Sequence, residues 1–337
     1  MTEKSEKRLA KPNMSDTQFK LGLGLLIAWI IPFLYYAHSV YTWALANQPQ
    51  GYKYTEYKQL WMTGVGGASF LMMKETIGFI ATPIYRYVLP KGDDEYVWNR
   101  KVAKCVDMTV GFVYFSLSSY WGWYTLRYSK WLPHCLGGLH PQGSVLGAVV
   151  GLPFQEMPPG TACYILFTYG YHAQDFIMHF FVERDNDWRE MLLHHLATLA
   201  LYPGFMFGGF PGVGVVMAYI HDLAEIPVNL CRLANNLDLK YITPVLYLIM
   251  LAAWTYTRCV ILPYYIYICA TELHFPAPIK HLENVINLEI CFVSVLEVLH
   301  FYWLFKFLRM GWRLITKGEQ RDLINTIDPT KDEKKDQ

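Results

Sequence analysis

The stretch LLHHLATLALYPGFMFGGFPGVGVVMAYIHD, residues 192–222, decides how the chain is read. A His pair opens it and a His-Asp pair closes it, with no Asp, Glu, Lys, Arg, His or Cys between them. The Gly- and Pro-containing break FGGFPG in the middle divides it into two apolar halves. Each half extends into an apolar run of about 20 residues, the length needed to cross a hydrocarbon core about 30 Å thick. The stretch therefore predicts a hairpin of two membrane helices that carries imidazoles and a carboxylate into the bilayer.

The rest of the chain agrees with a membrane setting. Of 337 residues 53% are apolar and only 17% charged, whereas soluble domains carry about a quarter charged residues. Much of that charge sits in the ends, MTEKSEKRLAK and GEQRDLINTIDPTKDEKKDQ. Apolar windows predict eight spans, at 19–43, 60–86, 102–126, 161–182, 190–209, 211–233, 241–269 and 284–308. The fold class expected is an all-α integral membrane protein of about eight spans. The window 60–86 is the weakest because it holds Lys74 and Glu75. The connection 127–160 is too long for a turn, and its middle, GSVLGAVVGLPF, is apolar enough to dip into a membrane surface without spanning.

Lys and Arg favour cytoplasmic connections. With eight spans both ends share one side, which collects Lys4, Lys7, Arg8, Lys11, Lys91, Arg100, Lys101, Lys104, Arg184, Arg189, Arg232, Lys240, Lys306, Arg309, Arg313, Lys317 and Arg321. The other side keeps Lys53, Lys58, Arg127, Lys130 and Lys280. Both termini are accordingly expected in the cytosol, with KDEKKDQ a disordered tail. A net charge of +1 says nothing about nucleic acid, and the lack of a basic stripe interleaved with aromatics argues against binding it. The seven cysteines form no CxxC pair and read as small buried hydrophobes. The polar first 18 residues resemble neither a cleavable signal peptide nor a transit peptide.

An ionisable residue inside a membrane span costs a few kcal/mol and marks a functional candidate by default. Four groups qualify. His194 and His195 lie about one turn into their span, with Thr198 one turn beyond His194. His221 and Asp222 are followed at helical spacing by Glu225 and Asn229. His172, Asp175 and His179 form a third group. Arg258, Glu289, Glu297 and His300 form a fourth, in the last two spans. Interhelical hydrogen bonding is the bland account of such residues, and it fits the third and fourth groups better than the two dyads. A His can act as a general base on an amine or take an acyl group as a covalent carrier, and a carboxylate beside it would set its tautomer. Metal-dependent oxidation fits poorly. The His upstream of His194 is His179, fifteen residues away, and not within a repeated HxxxH or HxxHH block.

The segment ERDNDWREMLLHHLATLAL, which contains Asp187, and the HD pair that follows resemble the signature of the ceramide synthases within the wider TLC-domain family. TRCVILPYYIY (257–267) and VLEVLHFYWLFKFLRM (295–310) resemble later family segments that carry a basic residue, here Arg258, and a His, here His300. The resemblance covers 97–312, taken as the TLC domain. It is preceded by a polar tail (1–18) and extra transmembrane segments (19–96), and followed by a charged tail (313–337).

This resemblance implies a TLC-type barrel of transmembrane helices around a lipid-shaped cavity. It implies acyl transfer from fatty acyl-CoA to the amine of a long-chain (sphingoid) base in the endoplasmic reticulum. His194, His195, His221 and Asp222 would be catalytic and Glu225, Arg258, Asp187 and His300 supporting. Neither a metal nor another cofactor is implied, because a thioester is already activated. Membrane lipids are expected partners, and a homodimer or membership of a larger membrane complex both stay open. The chain departs from the pattern at Gly209 and Gly212, where the family carries polar residues, at Glu225 in place of Asp, at Asn229 in place of an acid and at Arg232 in place of Lys. Lys104 lies near the place of an expected upstream acid, and no homeobox-like segment precedes the domain. These departures suit a second reading, a non-catalytic TLC-fold accessory or lipid-binding subunit in another organelle such as the mitochondrial inner membrane. Acyl transfer to a different amine or alcohol is a third.

Overall fold

The computed structural model describes residues 12–92, 94–182, 184–272 and 280–318. Lys4, Lys7, Arg8, Lys11, the side chain of Lys280, Arg321 and the KDEKKDQ tail lie outside the described residues, as does most of the two polar ends named above. The described residues are helical, with no strand among them. Eight long helices follow in order: α1 Asp16–Asn47, α2 Trp61–Val88, α3 Glu95–Leu126, α4 Thr161–Met178, α5 Trp188–Phe207, α6 Pro211–Asn236, α7 Ile242–Thr271 and α8 Lys280–Lys317.

Local chemistry explains several of their limits. Ser15 caps α1 in a reciprocal box with Gln18, and Asp94 accepts the first free amides of α3, satisfying donors that have no partner inside the helix. Pro211 opens α6, where its fixed φ fits and its missing N–H costs nothing. Four of the helices, α1, α6, α7 and α8, are long and apolar enough to cross a membrane by length and composition. The other four expected spans are helices of 18 to 32 residues that do not meet that criterion. The polar side chains they carry, from Lys74 and Glu75 in α2 to the His pair in α5, lower their hydropathy.

Six helices close into a ring, in the order α3, α6, α7, α8, α5, α4 and back to α3. α2 packs outside the ring on α3 and α4, and α1 packs outside it on α5 and α8. Ion pairs stitch one end. Arg100 and Lys104 of α3 hold Asp185, ahead of α5, at 2.7 and 3.0 Å, and Lys101 holds Asp238, beyond α6, at 2.8 Å. Arg189 pairs with Asp16 and donates to the Met14 carbonyl.

The opposite end is plugged. The 127–160 connection contains two short 3-10 turns, His134–Leu136 and Leu146–Ala148, and buries Leu132, Ala148, Val149 and Gln155. Gln155 Oε1 accepts from the Gly212 amide at 3.1 Å, and its Nε2 donates to the carbonyls of Ala148 and Val150. A Cβ on Gly212 would stand 2.5 Å from the Ala148 oxygen, and one on Gly209, whose φ is +90°, 2.6 Å from Pro153. The α5–α6 turn is glycine-rich because this connection lies directly on it. Tyr52, Tyr54 and Tyr219 add hydrogen bonds to the carbonyls of Gln155, Phe207 and Leu136. The helical ring is thus closed by this connection at one end and tied by ion pairs at the other.

Candidate active site

The ring encloses a cavity of about 210 Å³ lined from all six helices. On α6 its lining runs from Met217 to Arg232, a rise of about 22 Å at 1.5 Å per residue. It is a long slot, apolar toward the plug, where Leu201, Phe205, Met217 and Val293 line it. It is polar in the middle and toward the stitched end, where His172, Asp175, His194, His195, His221, Asp222, Glu225, Arg258 and Asp187 line it.

Arg258 organises the polar region. It sits in a π-helical stretch of α7, Thr255–Ile261, a local widening that recurs at functional sites. Its side chain is 3% exposed. Nη2 donates to Glu225 Oε1 at 2.7 Å and to the His221 carbonyl at 3.0 Å. Nη1 lies 3.2 Å from His300 Nε2, and the guanidinium covers the Trp254 ring at 4.2 Å. One cation thus ties α6 and α8 to α7.

These contacts settle two tautomers. A guanidinium only donates, so His300 Nε2 accepts and its proton resides on Nδ1, facing Glu297 Oε2 at 3.6 Å. A carbonyl only accepts, so His221 Nδ1, 2.7 Å from the Met217 oxygen, carries the proton of that ring. His221 Nε2 is then left with a lone pair, buried and without a protein partner among the described residues. That is the arrangement a base or nucleophile needs.

The two dyads come together through a residue of the last helix. His221 and His194 each approach His300, with ring centroids 5.1 and 6.4 Å apart, and His194 also meets Trp303 at 5.6 Å. His195 points the other way, toward His179 at 5.1 Å and toward Asp175 Oδ2, 3.8 Å from its Nε2. The expectation that Asp222 would hold an imidazole is corrected. Its Oδ2 accepts from Ser118 Oγ at 2.5 Å and from Tyr164 OH at 3.4 Å. Neighbouring residues on a helix do not face each other, so the side chain beside His221 reaches α3 and α4 instead. Among the described residues, the carboxylates within 4 Å of an imidazole nitrogen are Asp175 and Glu297.

Of the expected supporting residues, Glu225 and His300 bind Arg258. Asp187 immediately precedes α5 and lines the slot, and burial pushes its carboxyl up to about 7. Of the third group, His172 and Asp175 line the cavity. His179 stacks on Trp188 at 4.9 Å and exchanges hydrogen bonds with that residue's backbone and indole. Glu289 lies apart, near the plugged end. Ser118 and Tyr164 were not singled out from the sequence. Three serines inside the apolar run of α3, FSLSSYWGW, are the signal that could have pointed to Ser118.

A ring of helices around a buried polar slot defines a multi-pass membrane protein with an enclosed site. The TLC-domain profile matches residues 104–309, and the chain belongs to the TLC-domain family. Within it the resemblance is to ceramide synthases. The chain is 21% identical over 294 residues to ceramide synthase hyl-2 of Caenorhabditis elegans, covering 82% of this chain and 86% of that protein. It is 21% identical over 185 residues to human ceramide synthase 4 (52% and 44% covered). It is 28% identical over 146 residues to ceramide synthase LAG1 of Saccharomyces cerevisiae (40% and 35% covered). The chain spans less than half the length of the last two.

Proposed function

We propose that this protein is an N-acyltransferase that moves a fatty acyl group from acyl-CoA to the amine of a long-chain base. In this reading all eight long helices lie in the bilayer of the endoplasmic reticulum, with the stitched, basic end and both termini in the cytosol. That end offers positive charge to the CoA phosphates, and the slot takes the acyl chain.

The observation that carries the proposal is the free lone pair on His221 Nε2 inside an enclosed slot. The amine attacks the thioester carbonyl, and the imidazole accepts the proton the amine loses. The C–S bond breaks, and the sulfur leaves with that proton as the CoA thiol. One amide forms for one thioester consumed. Met217 holds the tautomer, and Arg258, by fixing the His221 backbone and the His300 ring, holds their positions. The same lone pair could take the acyl group first and pass it on, and a trapped acyl-imidazole would show that order. Neither route calls for a metal or redox cofactor.

The competing reading, a non-catalytic accessory or lipid-binding subunit, draws on Gly209 and Gly212. They lie under the plug and offer no polar group to a substrate. Purified protein incubated with acyl-CoA and a long-chain base, with the amide followed by mass spectrometry, separates the two. Turnover by the wild type that His221→Ala abolishes supports the enzyme. A folded protein that binds acyl chains and yields no amide overturns it in favour of the accessory role.

A further inference from the structure

The third group of ionisable residues, on α4, takes no part in holding His221. Its Asp175 lines the slot, and 41% of its side chain is exposed. The neighbours of α4 fix the direction in which that side chain points. Gly170 and Gln174 face α2, where a Cβ on Gly67 would stand 3.0 Å from the Gly170 oxygen and 3.6 Å from the Gln174 Cβ. Tyr171 stacks on Tyr114 of α3 at 3.9 Å, and His179, just past the end of the helix, meets His195 of α5 at 5.1 Å. At about 3.6 residues per turn, Asp175 lies about 40° from Tyr171 and about 40° from His179, between the two. Its carboxyl therefore points between α3 and α5, into the ring, and its accessible part faces the slot.

The charges of the slot leave this carboxyl over. Asp175, Asp187, Asp222 and Glu225 line it, against Arg232 and Arg258. Arg258 holds Glu225, Arg232 counters the charge of Asp187, and two hydroxyls donate to Asp222. Asp175 meets His195 Nε2 at 3.8 Å, too long for a hydrogen bond. Lys74 of α2 is engaged outside the ring by Asp107, 3.6 Å away. A carboxylate in a low-dielectric interior needs a cation or hydrogen-bond donors, and at Asp175 the described residues supply neither.

We infer that Asp175 is the binding residue for a primary ammonium at the end of a long hydrocarbon chain, the head of the acceptor base. The inference deepens the reading above, and rests on it, by naming how the acceptor is recognised; no bond is made or broken at Asp175. An organic cation is selected over a metal ion, because no three His, Cys, Asp or Glu groups among the described residues are placed to hold one. A primary ammonium has three donors. The carboxylate oxygens accept from it, and His172, one turn before Asp175 in the same lining, adds an imidazole lone pair. A quaternary ammonium has no N–H to offer them. The chain behind the head runs toward Leu201, Phe205 and Met217, the apolar part of the lining.

Native mass spectrometry tests this without turnover. The purified full-length protein in phosphatidylcholine nanodiscs, which carry no primary amine, is equilibrated with equimolar octadecylamine and octadecan-1-ol and no acyl-CoA, and the adducts on the protein are counted. The wild type should carry the amine in at least about tenfold excess, the lower end of the worth of a hydrogen bond to a charged group. Asp175→Asn should bring the ratio near one with the alcohol adduct intact, and Asp175→Glu should keep most of the preference. Asp107→Asn, which removes a carboxylate outside the ring, should leave it unchanged. Added phosphatidylethanolamine, whose phosphate would enter a slot lined by four acids, should not displace the amine. An unselective wild type, an Asp175→Asn variant that keeps the preference, an equal loss in Asp107→Asn, or displacement by phosphatidylethanolamine overturns the inference. The alcohol adduct reports folding in each variant, and the wild-type ratio decides alone where a variant does not fold. Because binding is read without acyl-CoA, a missing amide in the earlier assay would leave a positive result standing, and an unselective protein that still forms the amide would lose this inference alone.

Discussion

Replacing Arg258 with Leu tests whether this side chain holds the site together. The variant removes donors from Glu225, the His221 carbonyl and His300 at once. Breaking one partner of a buried ion pair costs about 3–5 kcal/mol, because the other charge is left uncompensated. Glu225 keeps 24% of its side chain exposed, so water recovers part of the loss and the cost should fall near the lower end, about 3 kcal/mol. If the orphaned carboxylate causes most of it, removing Glu225 as well should restore stability. The double variant Arg258→Leu/Glu225→Leu is then expected to cost about 1 kcal/mol, about 2 kcal/mol less than Arg258→Leu alone. Equilibrium unfolding in mixed micelles at rising denaturing-detergent fraction, followed by tryptophan fluorescence, reads both numbers. Arg258→Lys should recover only part of the loss, since an ammonium cannot span three partners in the planar fork that the guanidinium uses. A double variant as unstable as the single one, or a single variant costing under about 1 kcal/mol, would refute the role of Arg258 as the tie between α6, α7 and α8.

Three further outcomes are expected. His221→Ala should lower amide formation by about 10²–10⁴-fold, while His134→Ala, on a ring that bonds the Gly138 carbonyl in the plug, should leave the rate unchanged; progress curves with acyl-CoA and a long-chain base compare them. Ser118→Ala strips Asp222 of its 2.5 Å donor, leaving Tyr164 at 3.4 Å, and should cost about 1–3 kcal/mol in the same unfolding assay, with Ser118→Thr milder. Asp187 has its carboxyl raised by burial from 3.8 to about 7, so the folded state holds a proton that the unfolded state releases between those values. Its contribution should therefore make stability fall as pH rises from about 4 to about 7 and level off above. Asp187→Asn should flatten that slope, matching the wild type near pH 4 and exceeding it near pH 8.

The helices were legible because apolar length is a local property. The window 211–233 became Pro211–Asn236 and the window 241–269 became Ile242–Thr271. The departures from the family pattern at Gly209 and Gly212 are accounted for by the plug that rests on them. What stayed hidden was direction around each helix axis. The sequence placed Asp222 beside His221, and the natural guess was that they act on one partner. A step of one residue turns a side chain about a quarter of the way around the axis, so Asp222 meets Ser118, 104 residues earlier. The π-helical stretch around Arg258 has no composition signature.

Dispersal of the charges follows from the same geometry. An aspartate next to the His221 imidazole would favour its protonated form and occupy the lone pair that the proposed acyl transfer needs. Here the hydroxyls of Ser118 and Tyr164 engage Asp222, Arg258 engages Glu225, and a backbone carbonyl, which carries no net charge, fixes the His221 tautomer. Each carboxylate close to that ring is thus satisfied elsewhere, and the imidazole stays neutral and available. Moving a carboxylate back within reach should therefore slow the proposed acyl transfer. A Met217→Glu variant, one helical turn from His221, is expected to lower kcat by at least tenfold and to make the rate rise more steeply with pH. Unchanged kcat with an unchanged pH profile would show that the neutrality of this imidazole is incidental to the reaction.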